Sequence, residues 1–135
     1  MMEDSSMFTR NKANAPTRKG DGLRCHVLLQ EHDVRGDHLA VTWVDVAPGG
    51  RQRPHRHVPE QVYIIIKGKG RVQVGDDSEE VGEGDLVYVP SNVVHWIENL
   101  SDQPLTYIAA YTPGYDLTAV YEVGEAVERA APVLV

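Results

Sequence analysis

Cysteine is almost missing from this chain. Cys25 is the only one among 135 residues, so no internal disulfide can staple the fold. Positive charge is scarce as well. Lys and Arg number 13 against 20 Asp and Glu, a formal net charge of −7, which argues against a nucleic-acid partner because phosphate binding needs a concentrated basic surface. No window approaches the roughly 18 continuous apolar residues of a membrane span. The first residues carry no signal-peptide hydrophobic core, so the expected setting is cytoplasmic, with neither membrane nor nucleic acid as partner. No long helical period runs through the chain either, which removes helical bundles from consideration.

What is present is a series of short β-branched and aromatic runs separated by Gly, Pro and Asn. Strands are expected over 23–30, 39–47, 61–66, 71–74, 79–81, 85–89, 93–98 and 105–111. The acidic tip Gly75-Asp76-Asp77-Ser78 has hairpin-turn chemistry. Residues 31–38, which include His32 and His38, read as a solvated turn. Such a pattern predicts an all-β, antiparallel barrel or sandwich in one domain. Its expected limits are 23–119, preceded by a flexible arm over 1–22 and followed by a tail over 120–135 with a short helix near 120–131.

The stretch from Gly49 to Gly68 holds the first chemical signal. Read as a strand, 51–57 sets Arg51, Arg53, His55 and His57 on one face, with the two imidazoles close together. Gln61 follows at the head of the most hydrophobic run. By parity Gln61, Tyr63 and Ile65 share one face, while Glu60, Val62, Ile64 and Ile66 share the other. Taken alone, an HxH is also an ordinary surface pattern. The second signal is downstream, where His95 follows a strand-like run and a Pro-Ser-Asn turn.

Together these stretches resemble the paired motifs of the cupin superfamily. Gly49, His55, His57 and Gly68 fall on the first motif, with Gln61 where a glutamate usually stands; Gly84, Pro90, His95 and Asn99 fall on the second, with Asn92 in place of a glycine. Asparagine tolerates the left-handed backbone nearly as glycine does, so that exchange is mild. The resemblance implies an antiparallel double-stranded β-helix, a jelly-roll barrel. It also implies one divalent transition metal (Mn, Fe, Ni or Zn) held by His55, His57, Gln61 and His95.

Three neutral imidazoles and an amide oxygen add no negative charge to such an ion. It would remain a strong Lewis acid and attract anionic or oxygen-rich ligands, with positions left open on an octahedral ion. The expected activity is therefore an isomerase or lyase reaction on a small oxygen-rich or carboxylated, sugar-derived substrate. An iron-dependent dioxygenase and a non-enzymatic metabolite or sugar sensor are the alternatives. Three further residues are candidates for substrate chemistry. Arg53 could pair with a carboxylate, and Tyr63 could donate a hydrogen bond or a proton. Asp116 stands where small cupins that open unsaturated uronates carry an acidic residue, as the resemblance implies. Finally, Val62, Ile64 and Ile66, with Val94 and Trp96, form an apolar outer stripe that predicts a homodimer.

Overall fold

The computed structural model describes residues 7–36 and 39–112. A 3-10 helix, Lys12–Asn14, is capped by the Asn11 side chain. Eight strands follow: β1 (Thr17–Leu29), β2 (Ala40–Arg51), β3 (Glu60–Lys67), β4 (Lys69–Val74), β5 (Asp77–Gly82), β6 (Leu86–Val89), β7 (His95–Glu98) and β8 (Leu105–Thr112). All pairings are antiparallel, in the order β5-β4-β7-β2-β8-β3-β6, with β1 added on β2. The curled antiparallel sheet is the all-β barrel expected from the turn spacing.

Alternation explains which residues line the interior. On β3, Gln61, Tyr63 and Ile65 are buried, and they stand opposite Tyr111, Ala109 and Tyr107 of β8. Val44 and Val46 of β2, Ile97 of β7 and Leu105 of β8 complete the apolar part of the core. Each fully buried aliphatic side chain of this kind contributes about 1.5–3 kcal/mol relative to exposure. The apolar runs therefore supply the driving force, and their period of two decides which face goes inward.

Two stretches differ from their expected form. β1 begins at Thr17, inside the segment 1–22 read as an arm, because its backbone finds partners on β2: Asp21 pairs with Arg51, and Leu23 with Val46 after a register shift. Cys25 and Val27 then add their side chains to the core. Residues 52–57 do not form the expected strand. β2 ends at Arg51 and only an isolated bridge joins His55 to His95. Pro54 has no amide hydrogen to give a ladder. The expected tail helix lies outside the described residues.

Two backbone positions show why their residue types are needed. Gly68 has φ +84, and a Cβ there would lie 2.3 Å from the Pro104 carbonyl oxygen. Asn92 adopts φ 65, the left-handed conformation that the sequence led us to expect at this turn.

Candidate metal centre

The two halves of the site are brought into register by main-chain bonds. His55 N donates to His95 O at 3.2 Å, and His95 N returns a bond to His55 O at 2.9 Å. Asn92 N donates to His57 O at 2.7 Å, so the turn before β7 is tied directly to the His55–His57 segment. Asn99 closes the other end. Its Nδ2 donates to Val46 O and to Gln103 O, while its main chain exchanges bonds with Gly49 and Gly50. The second-motif asparagine is thus a buried staple between β7 and the end of β2.

These constraints bring His55, His57 and His95 together, all buried, with candidate ligand atoms within 4.8 Å of one another. The ring of His95 lies 4.3 Å from that of His55 and 4.8 Å from that of His57, centroid to centroid. Gln61 reaches the same place from β3. Its Oε1 is 2.9 Å from His57 Nε2 and 3.0 Å from His95 Nε2. Glu60, the neighbouring acid, faces outward and accepts a 2.5 Å hydrogen bond from the Tyr88 hydroxyl. Parity along β3 therefore separates the amide from the carboxylate as expected.

Hydrogen bonding fixes which nitrogen of each ring faces the centre. His55 Nδ1 lies 2.7 Å from Arg53 O, His57 Nδ1 2.8 Å from Pro59 O, and His95 Nδ1 2.8 Å from Val93 O. A carbonyl can only accept, so each Nδ1 carries the hydrogen and each neutral ring presents a lone pair at Nε2. Neutral is the preferred state of all three. Burial lowers the pKa of His55 to about 4 and that of His95 to about 2, the other imidazoles adding to the shift; burial also lowers His57.

Three lone pairs and an amide oxygen thus converge on one buried point, and His55 Nε2 has no hydrogen-bond partner there. Acceptors gathered without a donor repel one another, and a cation between them removes the conflict. Carbonyl partners on the outer nitrogens are the usual support for metal-binding imidazoles. The residues present fit a divalent transition metal, and the donor set is selective for the class without naming one ion.

The other candidate residues are placed as follows. Tyr63 is fully buried beneath the histidines, its ring centroid 6.2 Å from that of His95, and its hydroxyl donates a short hydrogen bond to Gln52 Oε1. Burial, first, and then the nearby Tyr111 raise its pKa well above the usual tyrosine value, so the phenol keeps its proton. Arg53 gives its main-chain carbonyl to His55, and its side chain is half-buried. Asp116 lies outside the described residues, as does His38. His32 is exposed, 3.9 Å from Glu31, in a loop that brings no third ligand near it among the described residues.

Gln52 is the residue that sequence reasoning missed. Strand parity through 51–57 turns it away from His55, yet it is only 5% exposed and meets Tyr63 inside the barrel. The ladder is interrupted between Arg51 and His55, so strand alternation does not carry across it and 52, 55 and 57 are all buried. A proline within an HxH approach was the available signal.

An antiparallel barrel with a three-histidine cluster at one end is the architecture of a cupin. Residues 42–111 match the cupin-domain family, and the chain belongs to it. An uncharacterised protein of Methanocaldococcus jannaschii is 29% identical over 96 residues, covering 70% of this chain and 77% of its own length. Dimethylsulfoniopropionate lyase DddW of Ruegeria pomeroyi is 33% identical over 73 residues, which is 54% of this chain but only 48% of the lyase. Among solved structures, oxalate decarboxylase of Bacillus subtilis superposes with a TM-score of 0.77 at 21% identity, covering 89% of this chain and 33% of the decarboxylase. At that identity the likeness speaks for the fold.

Proposed function

We propose that the chain is a metal-dependent enzyme of isomerase or lyase type, acting on a small carboxylated or oxygen-rich substrate, with His55, His57, His95 and Gln61 as ligands. The observation that carries this reading is the convergence of three Nε2 lone pairs and an uncharged amide oxygen on one buried point. A bound divalent ion would supply Lewis acidity there, undiminished by any ligand carboxylate. The protein's own residues would do the rest. The carbonyls of Arg53, Pro59 and Val93 hold the rings in the metal-ready tautomer. Tyr63, a phenol that keeps its proton and donates it to Gln52, braces the interior beneath the histidines. Arg53, two residues before His55, would be the cation that pairs with a substrate carboxylate. The lyase named among the relatives supports the lyase side of this reading.

The test is metal analysis of protein purified without added metal, followed by turnover assays on a panel that includes dimethylsulfoniopropionate, oxalate and unsaturated uronates. Stoichiometric metal with turnover of a carboxylated substrate is the expected result. Bound iron with oxygen consumption would replace it with a dioxygenase. Bound metal with tight ligand binding and no turnover would replace it with a sensor.

A further inference from the structure

Gln61 poses a problem that a ligand glutamate would not. A carboxylate presents an acceptor whichever way it turns, whereas an amide presents oxygen on one side and two N–H donors on the other. With Oε1 inward, as the structure has it, Gln61 faces the lone pairs of His57 and His95 and offers a site to a cation. Turned over, the NH2 would donate to those same two nitrogens. That state satisfies the metal-free protein and fills the place of the metal. Something must therefore hold the amide in the receptive orientation.

The interior beneath the histidines contains the parts for this. Gln61 and Tyr63 both point inward from β3, and Tyr63 donates its only hydrogen to Gln52 Oε1. With that proton committed, the phenol oxygen has only lone pairs left to present. The Tyr63 hydroxyl also interacts with the Gln61 side chain. Gln61 Nε2 is buried and has no hydrogen-bond partner. We propose that Gln52 and Tyr63 are positioning residues: Gln52 fixes the direction of the Tyr63 hydroxyl, whose lone pairs then draw the Gln61 NH2 to themselves and leave Oε1 facing the metal. Without Gln52 the hydroxyl is free to turn and donate to Gln61 Oε1. The amide then rotates and closes the site with its own N–H groups. Gln52 thereby acts on the metal through two intervening side chains, which gives this cupin a reason to keep an amide ligand uncharged and still reliable.

The inference rests on the metal-site reading, and the two can fail separately. Zn2+ alone is titrated into metal-free protein against a chromophoric chelator, with folding of each variant checked by circular dichroism. Gln52→Met and Tyr63→Phe should each weaken Zn2+ about 10–100-fold, the usual cost of losing an outer partner of a metal site. Gln52→Glu, which keeps the acceptor, should bind within about threefold of the parent. In a Gln61→Glu background, Gln52→Met should cost less than about threefold, since a carboxylate needs no orienting. Equal losses in both backgrounds, or no loss in either, would overturn the proposal. Should Gln52→Met fail to fold, the metal-free wild type decides by NMR. Nuclear Overhauser contacts from the Gln61 NH2 protons to the Tyr63 ring are expected, and contacts to the His57 and His95 rings instead would reject the orientation. Absence of Zn2+ binding by the wild type would sink the metal reading, while the NMR contacts would still decide the orientation.

Discussion

The two faces of β3 were built from the same kind of residue and serve opposite ends. Inward, Gln61, Tyr63 and Ile65 are each at most 1% exposed and run from the candidate metal centre down into the core. Outward, Val62 and Ile66 are half-buried and Ile64 is 36% exposed, beside Leu86 at 60% and Tyr88 at 50% on β6. An apolar residue on the first face stabilises the barrel. On the second it leaves hydrocarbon in water. β1 pairs with β2 alone, so the described part of the N-terminal segment adds no strand beside this outer face. The difference teaches that burial, and not hydrophobicity, marks the residues committed to this chain's own fold. We propose that a second copy of the chain covers the outer face, the homodimer expected from the sequence.

The sharpest break in that comparison is on the inward side. His95→Ala removes one of three converging lone pairs, so Zn2+ affinity should fall by more than the about 100-fold upper cost of losing an outer partner. Isothermal titration of the metal-free variant measures it. Retention of parental affinity would mean that His95 is not a ligand.

Adjacent residues of the strand test the two faces directly. Ile65→Ala should destabilise the protein by about 2–5 kcal/mol, the usual cost of emptying a packed core position. Ile64→Ala should cost well under about 1 kcal/mol in the monomer, because the side chain is already in contact with water. Ile64→Lys adds a separate readout. Light scattering should show a dimer for the parent and a monomer for this variant, with Zn2+ binding unchanged. A monomeric parent at micromolar concentration would remove the second copy from the comparison.

Gln61→Glu is smaller in atoms and smaller in expected effect. The added charge should hold or raise metal affinity and lower the ion's pull on an anionic substrate. Metal retention kept and turnover reduced is the expected pair of results. Loss of both would make the role of the amide geometric, and unchanged turnover would end the charge argument.

Most of the site was legible because it rests on periodicity and paired spacing. Gln61 and Tyr63 follow from strand parity, and His55, His57 and His95 from the two motifs, each a local pattern. What could not be read was non-local. The start of β1 at Thr17 depends on partners far along β2, with a register shift that its own residues do not encode. Gln52 falls on the wrong side when parity is carried from 51 to 57, because β2 ends at Arg51 and Pro54 gives no amide hydrogen to continue a ladder. The hydrogen bonds of the outer imidazole nitrogens come from carbonyls, which every residue possesses and no side-chain pattern reveals.

The smallest expected effect belongs to the outer surface, at Asp45 on β2. Burial opposes its charge, but hydrogen bonds with Lys12, Thr106 and Trp43, together with the Lys12 charge, outweigh that and leave its pKa below the usual 3.8. Lys12 Nζ is 2.8 Å from the carboxylate, and His26 Nε2 is 3.3 Å away, so this one acid ties the 3-10 helix and β1 to β2. A depressed carboxyl pKa means that the unfolded chain binds more protons than the folded one in acid. The contribution of Asp45 is therefore fully present above its unfolded value and is lost as pH falls through the lower folded value. Since Asp45 and Lys12 are partly exposed, the pair should contribute no more than about 1 kcal/mol. Urea unfolding of the parent and of Asp45→Asn should differ by that amount at pH 7 and converge as the pH drops below 3.8. A gap that persisted in acid would assign the stabilisation to packing around Asp45 and not to its charge.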